Sequence, residues 1–348
     1  MIVAIFGVPT ALSLVGCSII KAIVERAEGP HQQIAAIFID DLRKAWTALG
    51  EGGRKQVLIF SELPSTPLLD LMRSSQSPTI VFLDDFDDVV NQLVQTRSMT
   101  TRTAIRHTTR VLCAIDQVRK EDALRVTPID CDRPLKAFVA SLCEFLQVGA
   151  ADQVTREVMA LLGYAESSTA TLDDHIRTKS AQTLSAASGV APHDDFDRAT
   201  LQFVADQYAG VGAGVGVARI AWPTELFYRP DPPQDFLDGP TDLVGPARLI
   251  AFGPYLHLPK GEWTVSITIE VEENFSGNEL QIDVYSGSIL VAGETSLPVS
   301  GVFGIDLAFK IVEPFDPVEV RSQILSGAIE GRLTLREVVF QRGGTQII

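Results

Sequence analysis

Four carboxylates, Asp84, Asp85, Asp87 and Asp88, follow the apolar run Thr79–Leu83. Grouped carboxylates are the oxygen ligands that Mg²⁺ or Mn²⁺ takes. The carboxyl end of a buried strand is also where parallel α/β sheets hold their ligands. Asp84, Asp85 and Asp87 are therefore the metal candidates of this chain. A plainer role competes with that one: acids at a helix start cap free N–H groups and complement the helix dipole.

Two other groups have the chemistry of an anion site. Gly7, Thr10 and Ser13 lie in the turn after the apolar run Ile2–Phe6. Free N–H groups at a helix start attract a phosphate or sulfate. A phosphate loop adds a Lys or Arg, but the first basic residue here is Lys21. Arg102, Arg106 and Arg110 recur every fourth residue beside His107, so a helix places them on one face, where guanidinium groups can grip an anion. Capping by Thr10 and Ser13, and a solvated face for the arginines, are the simpler alternatives. Glu62 and Ser61, after the run ending at Phe60, offer a base or ligand, or a solvated loop.

Near the C-terminus, Tyr255, Trp263, Phe275 and Tyr285 are candidates for stacking on sugar rings, with a core role as the alternative. Tyr255 and Trp263 lead this group. His257 falls between Leu256 and Leu258 and is expected on the exposed side of a strand. The five histidines show no Ser-His-Asp pattern.

The elements that must position these residues change along the chain. Apolar runs at Ile2–Phe6, Ala35–Ile39, Gln56–Phe60, Thr79–Leu83 and Leu124–Pro128 alternate with helical patterns at Ser13–Ala27, Pro67–Ser74, Asp87–Gln95, Thr101–Val118, Pro134–Leu146 and Asp152–Leu162. That rhythm predicts a parallel α/β domain over residues 1–165. Residues 166–243 read as a connector: a polar stretch from Ser167 to Gly189, a helix over Phe196–Tyr208, alternating Gly210 to Gly216, and Arg229-Pro230-Asp231-Pro232-Pro233. From Val244 the period becomes two, with strands expected at Trp263–Val271, Glu279–Tyr285, Ser288–Ala292, Gly304–Ile311, Pro317–Ser322 and Arg332–Gln341. This predicts an antiparallel sandwich or jelly roll over 244–348.

Composition narrows the function classes. Over 348 residues the net charge is −15 and 46% are hydrophobic. The excess acid disfavours nucleic acid and anionic membranes, and the hydrophobic share fits a globular chain. Residues 1–165 hold 17 basic and 19 acidic side chains, against 12 basic and 25 acidic over 166–348, so the acidity lies beyond the first domain. No apolar run reaches 18 residues, so no membrane span is expected. The apolar residues after Met1 are expected to be a core strand and helix rather than a signal peptide. Cys17, Cys113, Cys131 and Cys143 lie in apolar stretches without CxxC pairs, which predicts free thiols, a reducing, cytoplasmic setting and no zinc site. No cofactor or oligomeric state is legible.

Two segments of the first domain resemble sulfotransferases. Thr79-Ile80-Val81-Phe82-Leu83-Asp84-Asp85-Phe86-Asp87-Asp88-Val89 is similar to the strand and helix that hold the 3′-phosphate of the sulfate donor. Asp85, Asp88 and Val89 fit, while Asp84 stands where that family has Arg and Phe86 where it has Pro. Ile129-Asp130-Cys131-Asp132-Arg133-Pro134, then Leu142-Cys143-Glu144-Phe145-Leu146, is similar to a later strand and helix of the same family. The resemblance implies a P-loop-like fold whose donor contacts have degenerated. The segment from Phe252 to Trp263, with Gly327–Leu333, resembles jelly-roll domains of bacterial proteins that handle polysaccharide, and implies a carbohydrate-binding-like module. Together these imply a glycan-recognition protein with carbohydrate as its partner. The alternative is an active transferase: a sulfotransferase, or a metal-dependent glycosyltransferase, since Asp85-Phe86-Asp87 looks like the Asp-x-Asp metal motif of nucleotide-sugar enzymes.

Overall fold

A computed structural model describes residues 2–27, 34–38, 47, 56–184, 195–214, 216–230 and 235–343. The chain forms two compact units, Met1–Thr100 with Ala114–Pro192 and Gly212–Gly214, and Thr101–Cys113 with His193–Val211 and Val215–Ile348. These units cut the chain elsewhere than the expected boundaries after 165 and 243. The helix bearing the arginine row goes with the second unit.

The first unit is a parallel sheet with helices. Its strands are β1 (Ile2–Phe6), β2 (Ile34–Phe38), β3 (Gln56–Ser61), β4 (Thr79–Phe82) and β5 (Leu124–Val126), in the order β2-β3-β1-β4-β5. Ile39, expected at the end of β2, lies outside the described residues. β1 pairs with β3 from Ile2↔Val57 to Phe6↔Ser61 and with β4 from Ala4↔Thr79 to Phe6↔Val81. The ends of β3, β1 and β4 therefore stand side by side, each followed by one of the candidate segments. Val3, Ile5, Leu58, Phe60, Ile80 and Phe82 join one buried core with Leu12, Ile19 and Ile23 of the helix Ala11–Ala27. Burying such side chains supplies roughly 1.5–3 kcal/mol each. Gly16 lets that helix approach, since a Cβ there would lie 2.2 Å from the Phe82 ring.

The connector reading missed a helix at Leu172–Leu184. Its start is fixed by Thr171 and Asp174: the Thr171 N–H donates to Asp174 Oδ2 at 2.9 Å, and the Asp174 N–H to Thr171 Oγ1 at 3.1 Å. That reciprocal pair is a capping box. Residues 185–189 of the same polar stretch, and Asp231–Pro233, lie outside the described residues.

The second unit is antiparallel. Its strands are β6 (Arg219–Trp222), β7 (Tyr228–Arg229), β8 (Asp235–Phe236), β9 (Thr241–Asp242), β10 (Arg248–Ala251), β11 (Pro254–Leu256), β12 (Gly261–Glu272), β13 (Glu279–Ser286), β14 (Ser288–Ser296), β15 (Gly301–Ile311), β16 (Val318–Ile324) and β17 (Arg332–Arg342). One sheet runs β10-β16-β13-β14 with β11 on β16, and the other runs β15-β12-β17-β6 with β9 on β17. Alternation sets the core: Trp263, Val265, Ile267, Ile269 and Val271 of β12 are buried, as are Leu280, Ile282 and Val284 of β13 and Val318, Val320 and Ile324 of β16. β6 to β9, read from the sequence as connector, belong to these sheets or form a small hairpin. Strands of two to four residues are too short for a period-two pattern to register.

Candidate functional site

The turn after β1 is built for packing. Gly7 has φ +147°, and a Cβ there would come within 2.6 Å of the Phe82 carbonyl oxygen. Thr10 and Ser13 are buried. The Ser13 hydroxyl donates to the Val8 carbonyl at 2.6 Å and accepts the Thr10 N–H at 2.9 Å, and the Ser13 N–H reaches Thr10 Oγ1 at 3.3 Å. These side chains cap the helix Ala11–Ala27.

Asp84 enters the same turn. Its carboxylate lies beside the Thr10 side chain. Burial raises its pKa first, Thr10 lowers it, and the charges of Asp88 and Asp85 raise it further. Asp88 is likewise raised, by burial and then by Asp85. Asp84 and Asp85 form no ion pair with Lys or Arg among the described residues. A carboxylate thus lies beside Thr10 at this turn, with two like charges near it.

The metal reading of Asp84, Asp85 and Asp87 finds no converging ligand set. Among the described residues, no group of three His, Cys, Asp or Glu side chains has metal-holding geometry. Asp85 is the N-cap of the helix Phe86–Arg97 but makes no side-chain capping bond. Glu62 is paired with Arg97 at 2.6 Å. The four cysteines are free; burial pushes Cys17 up to about 12, and burial with nearby Asp84 pushes Cys131 up to about 11. No helix among the described residues is long and apolar enough to cross a membrane.

The arginine row is engaged within the second unit. Arg102 Nε donates to Asp197 Oδ1 at 3.1 Å, and its guanidinium lies 3.5 Å above the Phe236 ring centre and 4.8 Å from that of Phe196. Arg106 Nε donates to the Pro254 carbonyl at 2.9 Å, and its Nη2 to the Tyr228 hydroxyl. Its guanidinium also lies 5.2 Å and 5.5 Å from the Tyr228 and Tyr255 rings. Arg110 lies near His257, whose pKa it lowers. Arg102 and Arg106 anchor their helix to aromatic rings.

His257 is buried, against expectation. The helix residues Thr109 and Tyr208 cover it: Thr109 Oγ1 lies 3.4 Å from Nδ1, and the Tyr208 hydroxyl donates to the His257 carbonyl at 2.6 Å. Burial first, then Arg110, lowers its pKa to about 3. Trp263 is also core, 1% exposed, with its indole N–H donating to the Pro259 carbonyl at 2.8 Å. No ring face of Trp263 is open to a sugar.

Tyr255 differs. It is half-buried at φ +67°, in contact with Tyr228 at 6.0 Å and Phe252 at 6.2 Å between ring centres. Its hydroxyl lies beside the Glu319 carboxyl group. Burial and the Glu319 charge push it up to about 12. Glu319 itself is raised, chiefly by burial. Tyr285, Asp283 and Arg321 continue from Glu319 over the outward face of β13 and β16. Sequence reading singled out Tyr285 but missed its polar neighbours, because only the β13–β16 register brings them together.

No protein-family model matches the chain, and no curated protein sequence matches it. Among solved structures, the chain is similar to the mouse sulfotransferase SULT7A1 complexed with PAP, at 12% identity and TM-score 0.37, over 61% of this chain and 86% of that one. It is similar to the xylan-binding module CBM15 at 12% identity and TM-score 0.26, over 37% and 98%. It is similar to TmCBM61 in complex with β-1,4-galactotriose at 12% identity and TM-score 0.23, over 34% and 81%.

Proposed function

We propose that this protein recognises a glycan through its sandwich unit, and that its α/β unit is a sulfotransferase-like scaffold without a working donor site. The observation that carries the reading is Tyr255, a half-buried ring beside Glu319 and backed by Tyr228, Phe252 and Arg106. A rigid aromatic ring with a carboxylate at its tip combines a stacking surface with an acceptor for sugar hydroxyls. The scaffold reading is supported by the parallel sheet order and by the Asp85, Asp88 and Val89 resemblance. Loss of the donor site is supported by Asp84 in the β1 turn, where like charge repels a phosphate.

A ligand screen tests the reading. The purified chain is titrated with plain and sulfated oligosaccharides, adenosine 3′,5′-bisphosphate, and UDP- and GDP-sugars with and without Mn²⁺. A ligand at ~100 times its Kd stabilises a fold by about 2.7 kcal/mol, so a thermal shift reports it. The expected result is a shift with oligosaccharide and none with the bisphosphate or nucleotide sugars. A shift with the bisphosphate, or a Mn²⁺-dependent shift with a nucleotide sugar, would return the α/β unit to the transferases.

A further inference from the structure

We propose, resting on the glycan-binding reading above, that the outward face of β13 and β16 is a binding site for neutral oligosaccharides, centred on Arg321 held between Asp283 and Tyr285. The register places six residues in three facing pairs: Gln281↔Gln323, Asp283↔Arg321 and Tyr285↔Glu319. The residues between them, Leu280, Ile282, Val284, Val320 and Ser322, are buried on the opposite face. Every second position is thus turned outward, and every one of the six carries a polar group. At ~6.8 Å between rows, the block runs about 14 Å along the strands, which suits an oligosaccharide better than a single sugar.

The block is rigid before any ligand arrives. Arg321 Nε donates to Asp283 Oδ1 at 2.7 Å, and its guanidinium sits 4.4 Å from the Tyr285 ring centre. Gln281 Nε2 lies 3.5 Å from Asp283 Oδ2. Asp283 is 4% exposed. Arg321 Nη1 and Nη2 make no hydrogen bond among the described residues. A guanidinium fixed at Nε, with its outer donors uncommitted, is preorganised to bind. On β15 the outward residues Val302, Gly304, Asp306, Ala308 and Lys310 are exposed singly, with no comparable packing.

The chemistry selects the ligand. Sugar hydroxyls donate and accept, and the block offers Arg321 as donor, Glu319 as acceptor, and Gln281 and Gln323 as both, while the buried Asp283 holds Arg321 in place. Tyr285, with Tyr255 beside Glu319, supplies ring faces. Next to Asp283, Ala292 of β14 is exposed and small, and leaves room above the sheet. Asp283 and Glu319 flank the Arg321 guanidinium, and Glu294 stands opposite Gln281, so acid outnumbers base on this face. That balance repels sulfated and uronate chains and favours neutral ones.

The test is calorimetric titration of the full chain with xylohexaose, cellohexaose and β-1,4-linked galactotetraose, and with sulfated carrageenan oligosaccharides. Arg321→Met, Gln323→Ala and Gln281→Ala are compared with wild type, with melting curves for each. The expected result is binding of at least one neutral oligosaccharide, weakened tenfold or more by Arg321→Met and several-fold by Gln323→Ala, with sulfated chains bound at least tenfold more weakly. Gln323→Ala and Gln281→Ala keep the test open should Arg321→Met unfold. Neutral binding unchanged in all folded variants would overturn the site and leave the glycan reading standing. Preference for the sulfated chains would overturn the ligand class alone. No binding of any oligosaccharide by wild type would overturn both.

Discussion

Thr10 and Ser13 cap each other at the end of β1, the Thr10 N–H donating to Ser13 Oγ at 2.9 Å and the Ser13 N–H to Thr10 Oγ1 at 3.3 Å, and the Asp84 carboxylate lies beside Thr10. The parallel sheet, the turn and the following helix come together here, and the charge closest to the turn is that of a carboxyl group.

Asp84 sets a pH dependence of stability. Its folded pKa is raised, mainly by burial. For a carboxyl group this means stability that is fully present below the ordinary Asp pKa and is lost as pH rises through the raised value. Asp84→Asn is therefore expected to raise Tm at pH 7 by about 2–4 °C, with the gain shrinking as pH falls toward 4. Melting curves of the variant and wild type over that range check it, and a loss of stability at pH 7 counts against the account.

His257 acts in the opposite direction. Its pKa falls from 6.5 to about 3 through burial, Arg110 and His107. A base with a depressed pKa stabilises the fold above its unfolded value and loses that contribution as pH falls. His257→Gln is expected to flatten the decline in Tm between pH 6.5 and 3. An unchanged acid limb would show that the imidazole is not buried neutral.

Gly16 is predicted to be intolerant. A Cβ there meets the Phe82 ring at 2.2 Å, and overpacking of that kind costs about 1–3 kcal/mol. Chemical denaturation of Gly16→Ala should show this loss, and Phe82→Leu should recover part of it in the double variant. Independent, additive effects would contradict the contact.

Trp263 and Tyr255 should separate stability from binding. Trp263→Ala empties a core position and is expected to cost about 3–5 kcal/mol. Tyr255→Phe removes only the hydroxyl beside Glu319, with an expected cost of no more than about 1.5 kcal/mol. Denaturant titrations of both variants check the difference.

Periodicity made much of this architecture legible. The long alternation from Trp263 to Val271 falls within an observed strand, and the short apolar runs of the first 165 residues each overlap one, with Leu83, Thr127 and Pro128 past the strand ends. Elements shorter than a repeat were hidden, such as Arg219–Trp222. The helix Leu172–Leu184 was signalled only by Thr171 and Asp174, a box with Asp at the position where Glu or Gln is the usual mark. Site geometry was less legible still. Arg106 has the spacing of an anion ligand, but its partners Tyr228 and Pro254 lie more than a hundred residues away. The Asp283–Arg321 pair joins strands almost forty residues apart, and no local pattern announces it.

The most direct measurement is the affinity of wild type and Tyr255→Ala for a neutral oligosaccharide that shifts the melting curve, with adenosine 3′,5′-bisphosphate titrated alongside. The account predicts oligosaccharide binding that falls at least tenfold in folded Tyr255→Ala, and no bisphosphate binding. Bisphosphate binding by wild type, with no oligosaccharide bound, would contradict it.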